Sequence, residues 1–108
     1  MDKLIAITSL EAFKEAIKNQ SIIMFSADWC PDCIFAKTFM NDIVDENKDF
    51  TWYYVDRDQM IDLCIDLNIL GIPSFIAYKD GKEVARYVDK LRKTREQVQK
   101  FVNEVRGE

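Results

Sequence analysis

The sequence predicts an α/β fold: a central mixed sheet of about five strands, flanked on both faces by about four helices in three layers. Three observations carry this. Short apolar runs alternate with segments of helical spacing through the first half, as parallel strands joined by helical crossovers do. Two strand-like segments then bracket Lys79-Asp80-Gly81-Lys82, whose Asp-Gly pair is hairpin turn chemistry. Helix-start signatures stand at both ends, Thr8 with Glu11 and Thr94 with Gln97.

The elements follow in order. Leu4 to Ile7 reads as a short opening strand. The Thr8/Glu11 capping box starts a helix whose apolar face is Leu10, Phe13 and Ile17, and Asn19-Gln20 ends it. Ser21 to Ser26, with Ile22-Ile23-Met24-Phe25 inside it, reads as a buried strand. A second helix is predicted from about Pro31 to Asn47, with Phe35, Phe39 and Ile43 on one face. Phe50 to Val55, aromatic and β-branched, reads as a central strand. Asp56-Arg57-Asp58 is expected to open a third helix through about Asn68, on which Cys64 lies on the apolar stripe as a buried small hydrophobe. Gly71-Ile72-Pro73 breaks that pattern. The strands Ser74 to Tyr78 and Glu83 to Tyr87 form the hairpin, and Thr94/Gln97 caps a last helix with Val98, Phe101, Val102 and Val105 inward.

Composition bounds the function. A chain of 108 residues fits a single domain, residues 1–108, with no repeat, linker or low-complexity segment. Its net charge of −4 argues against nucleic acid or an anionic membrane as the main partner. No run of about 18 apolar residues and no signal-like N-terminus is present, so a cytoplasmic location is expected. Three cysteines do not make a disulfide scaffold, and the chain has no histidine. A four-ligand zinc site within one chain is therefore not expected, so no metal residues are assigned. A zinc shared by the Cys pairs of two chains is a minor alternative.

The chemistry concentrates at Trp29-Cys30-Pro31-Asp32-Cys33. Two thiols separated by two residues can close into one small reversible disulfide. Cys30 follows the buried strand and precedes a helix, where free N–H groups and the helix dipole favour a thiolate. Pro31 suits the first helical position. The reaction implied is thiol–disulfide exchange.

On these residues the chain resembles the thioredoxin family over essentially its whole length. Phe25, Ala27, Trp29, Cys30 and Cys33 fit the family's strand and active-site turn. Gly71-Ile72-Pro73-Ser74 fits its second landmark, a cis proline facing the dithiol, and Asp56 and Gly81 also match. The resemblance implies the thioredoxin fold. It makes Cys30 the solvent-facing attacking thiolate and Cys33 the buried thiol that resolves the mixed disulfide. Trp29 becomes a shield for the thiols and an apolar surface for substrates, its alternative being simple core. Pro73, if cis, lets Ile72 pair its backbone with a substrate strand. No cofactor is bound; electrons are expected from an NADPH-dependent reductase. Partners are protein or small-molecule disulfides and a thioredoxin reductase, and a monomer is expected.

Four departures qualify the resemblance. Asp32 replaces the usual Gly-Pro pattern with Pro-Asp; a carboxylate this close opposes the Cys30 thiolate and should push the protein toward reductant. Met24 stands where the family has a buried aspartate, and Tyr54 where it often has a lysine. Deprotonation of Cys33 is then left to water, Asp32 or Asp28. Asp89-Lys90 replaces a loop glycine that partners pack against. A second reading in another class is a redox-regulated or redox-inactive binding module. Met24, Tyr54 and Asp89 favour it; the intact Cys30, Cys33 and Pro73 oppose it.

Overall fold

The computed structural model describes residues 1–107. Along them run β1 (Ile5–Ala6), α1 (Leu10–Ala16), β2 (Ser21–Ser26), α2 (Pro31–Glu46), β3 (Thr51–Asp56), α3 (Ile61–Asp66), β4 (Ser74–Lys79), β5 (Lys82–Tyr87) and α4 (Arg95–Arg106). The strands form one mixed sheet in the order β1-β3-β2-β4-β5. β1, β3 and β2 are parallel, while β4 is antiparallel to β2 and to β5. The fold class read from the sequence is thus the one observed.

Strand alternation divides the core between the two sheet faces. Ile22, Met24, Trp52, Phe75 and Ala77 join Ala36, Phe39, Met40 and Ile43 of α2 and Val98, Phe101 and Val102 of α4. Ile23, Phe25, Val55, Ile76 and Tyr78 join Phe13 and Ala16 of α1 and Leu63 and Cys64 of α3. β2 lies in the middle of the sheet, buried along its whole length. That explains its unbroken apolar run, which alternation alone would have interrupted. Met24 is buried in the first cluster and is the register partner of Tyr54 on β3.

The termini of several elements differ from the reading of the sequence. Ser9, not Thr8, caps α1: its hydroxyl accepts the Ala12 N–H at 3.1 Å, because Ser9 is the last extended residue before the helix. The opening strand shrinks to two residues. The third helix starts at Ile61 rather than near Asp56, because the Asp56 carboxylate accepts the Asp58 N–H at 2.9 Å and holds that segment in a turn. It ends before Asn68, which sits at φ 56°. The hairpin is a two-residue turn with Asp80 at φ 54° and Gly81 at φ 82°, the left-handed pair that matches strand twist. The Thr94/Gln97 capping box forms on both sides.

Candidate active site

The central strand β2 delivers the chain through Ala27-Asp28-Trp29 to Cys30, the N-cap of α2. The Cys30 sulfur takes the place that a serine or aspartate oxygen usually occupies, accepting the Cys33 N–H at 3.2 Å. Pro31 fills the first helical turn, where its missing N–H costs nothing. The positive end of α2 therefore points at this sulfur. Both thiols are free.

The expected solvent-facing thiol is a correction: Cys30 is only 6% exposed. It packs in the second core cluster with Ala27, Cys33 and Ile72, and its sulfur lies 3.9 Å from the Ile72 carbonyl oxygen. Cys33 is fully buried, and its thiol is pushed up to about 12. Burial is the largest cause, followed by its hydrogen bond to Cys30; the backbone N–H of Ala27 and the charge of Lys37 act the other way. Opposite the cysteines, the Ile72–Pro73 peptide bond is cis, and Ser74 Oγ donates to the Gly71 carbonyl oxygen at 2.5 Å.

Trp29 is not core. It is 60% exposed, with Nε1 donating to Asp58 Oδ2 at 2.7 Å and Arg57 stacked at 5.8 Å. The two carboxylates nearest the cysteines along the chain, Asp28 and Asp32, are each engaged by a cation. Lys37 Nζ lies 3.0 Å from Asp28 Oδ1, and Arg92 Nε lies 2.7 Å from Asp32 Oδ1. Asp32, taken from the sequence as an unopposed charge beside Cys30, is thus a paired one. Asp89, read as a substituted loop glycine, turns inward to the fully buried Lys93, 2.8 Å away.

The structure therefore gathers Trp29, Cys30, Pro31, Asp32, Cys33, Ile72 and Pro73 into one place. Asp58, Arg57, Lys37 and Arg92 frame it, and Lys93 fastens the loop that carries Arg92, without having been singled out. Spacing along the chain carried no signal for Arg57, Asp58, Arg92 and Lys93, which lie outside the cysteine helix, whereas Lys37 stands one turn beyond Cys33 on α2, where helical spacing could have pointed to it. Cys64 stays on α3 in the second cluster, its thiol pushed up to about 11 by burial. Among the described residues, no three or more potential metal ligands come together, and no helix is long and apolar enough to cross a membrane.

Two free thiols at the mouth of a helix, carried on the central strand of a mixed sheet, define a site for thiol–disulfide exchange. The thioredoxin family model matches residues 4–104, and the chain belongs to that family. It is similar to thioredoxin of Mus musculus, 32% identical over 85 residues, which span 75% of this chain and 81% of that one. Thioredoxin-3 of Dictyostelium discoideum is 30% identical over 88 residues, 81% of this chain and 85% of its own. The crystal structure of thioredoxin from Trypanosoma brucei brucei superposes with a TM-score of 0.85, covering 97% of this chain and 92% of that one at 19% identity. The protein is a thiol–disulfide oxidoreductase of a family that works through a redox-active dithiol and acts on disulfides without a bound cofactor.

Proposed function

We propose that the protein reduces protein or small-molecule disulfides through a reversible Cys30–Cys33 dithiol/disulfide. The observation that carries this reading is the Cys30 sulfur sitting as the N-cap of α2, where helix N–H groups stabilise negative charge on it. The Cys30 thiolate attacks one sulfur of the substrate disulfide, forming a mixed disulfide and releasing the other sulfur as a thiolate. Cys33 then loses its proton and attacks Cys30 Sγ. The Cys30–Cys33 disulfide forms, the second substrate thiolate leaves, and two electrons have passed to the substrate.

The high Cys33 pKa belongs to the free dithiol. Once Cys30 is in a mixed disulfide it is no longer charged, so one cause of that elevation vanishes. The Ala27 N–H and Lys37 still favour the thiolate. With Met24 and Tyr54 in place of an acid–base pair, and with Asp28 and Asp32 both held by cations, water takes the Cys33 proton. Trp29 and the Ile72–Pro73 loop form the substrate-facing rim. The dithiol is regenerated by a reductase drawing on NADPH. The chain works as a single-domain monomer in the cytoplasm.

Substitution Cys33→Ser tests this directly. The variant should accumulate a Cys30-linked mixed disulfide with a disulfide-bearing protein, while Cys30→Ser forms none. Equilibration of the wild type in defined thiol buffers should give a potential near −270 mV, roughly that of a thioredoxin. A pair that forms no disulfide in those buffers would return the chain to the class of binding modules.

A further inference from the structure

We infer that Arg92 is a positioning residue of the dithiol site: its guanidinium holds the Asp32 carboxylate and offsets that charge beside Cys30. The inference rests on Cys30 being the attacking thiol.

Asp32 is the residue between the two cysteines most able to disturb them. In the first turn of α2 its negative charge suits the helix dipole but opposes a thiolate on the N-cap sulfur next to it. Arg92 meets it from another part of the fold. Its Nε lies 2.7 Å from Asp32 Oδ1, and its guanidinium lies over the Phe35 ring at 4.6 Å. Phe35 is one turn along α2 from Asp32, so carboxylate and ring present a polar and an apolar contact to the same guanidinium.

The approach of Arg92 is built rather than incidental. Its loop is fastened from within by Lys93, a fully buried lysine donating to Asp89 Oδ1 at 2.8 Å and to the Leu91 carbonyl oxygen at 2.7 Å. Asp89 Oδ1 also accepts the Leu91 N–H at 2.9 Å. The same loop presses its backbone onto Gly71, just before the Ile72–Pro73 bond. One loop thus touches both halves of the site, the proline side by its backbone and the cysteine side by Arg92. A half-exposed ion pair of this kind adds little to stability.

The test is the rate of iodoacetamide alkylation of Cys30, located by mass mapping, across pH roughly 5 to 9. The proteins compared are wild type, Arg92→Gln, Arg92→Lys, Asp32→Asn and the Asp32→Asn/Arg92→Gln double variant. Arg92→Gln should slow alkylation at neutral pH about 3-fold, on the scale of a partly exposed charge pair, and move the profile to higher pH. Arg92→Lys should recover most of that loss, because the charge returns without the fork. In the Asp32→Asn background the same Arg92→Gln change should alter the rate by less than about 1.5-fold, because Arg92 then has nothing to hold. Equal slowing in both backgrounds would mean that the guanidinium acts on the thiol by itself and would overturn the inference. So would an unchanged Arg92→Gln profile. First alkylation of wild type at Cys33 or Cys64 would instead remove the assigned role of Cys30, a separate failure.

Discussion

Gly71 and Asp89 meet backbone to backbone: a Cβ on Gly71 would overlap the Asp89 carbonyl group and the Lys90 Cα. The glycine is required here by proximity, and the group it admits is main chain, which cannot rotate aside.

Gly71→Ala should therefore cost about 1–3 kcal/mol, the range for forcing extra volume into a packed contact. Urea unfolding measures it. The same substitution should slow disulfide reduction, because it displaces the loop that carries Arg92. An unchanged urea midpoint would show that the loop yields freely.

The Lys93–Asp89 pair has one buried member and one partly exposed one. Asp89→Ala leaves the ammonium with backbone carbonyls and the Tyr87 ring as partners, at an expected cost of about 2–3 kcal/mol, below the ~3–5 of a fully buried pair. Lys93→Met, which removes the buried charge itself, should cost less. Lys93 holds the Asp89 carboxyl below the usual carboxylate range. That contribution is complete above the unfolded carboxyl pKa and disappears as pH falls through the lower folded value. Asp89→Asn should accordingly flatten the acid limb of stability against pH.

At alkaline pH the sign reverses. Burial raises Cys33 to about 12, Cys64 to about 11 and Tyr78 to about 12. Each keeps its proton in the fold and loses it more readily on unfolding. Stability is thus full below the unfolded values and declines as pH rises toward the folded ones. Unfolding midpoints in denaturant, for the reduced protein, should fall steadily above about pH 9. Tyr78→Phe should soften the decline. It should also cost nothing at neutral pH, since the buried Tyr78 hydroxyl has no hydrogen-bond partner among the described residues.

Burial also orders the thiols. A brief maleimide pulse on the folded, reduced protein at neutral pH should label Cys30 and spare Cys33 and Cys64, and all three should label in denaturant. Mass spectrometry counts the adducts. Rapid labelling of Cys64 would contradict its place in the second core cluster.

The order of elements along the chain and the cysteine pair were legible because their signals are local: apolar runs, turn residues, and two thiols at a helix start. Thr94 with Gln97 named its helix correctly, yet the equally good Thr8/Glu11 pattern lost to Ser9, since the backbone turns into α1 one residue later. Asp56 was misread as a helix opener because its carboxylate closes a turn instead. Arg92 and Lys93 were invisible for a different reason. Their meaning lies in partners on other elements, or inside the loop itself, and nothing in sequence spacing specifies that a lysine will be buried. Asp32 was read with its sign right and its partner missing.

β2 pairs with β3 along all its residues from Ser21 to Ser26 and with β4 from Ser21 to Phe25. Amides held this way exchange with solvent only when the whole sheet opens, so this strand is among the slowest-breathing parts of the molecule. The cysteines are fixed to its end. Oxidation and reduction can then proceed at the tip of an anchored post, with turnover limited by encounter and sulfur chemistry rather than by fluctuation of the scaffold.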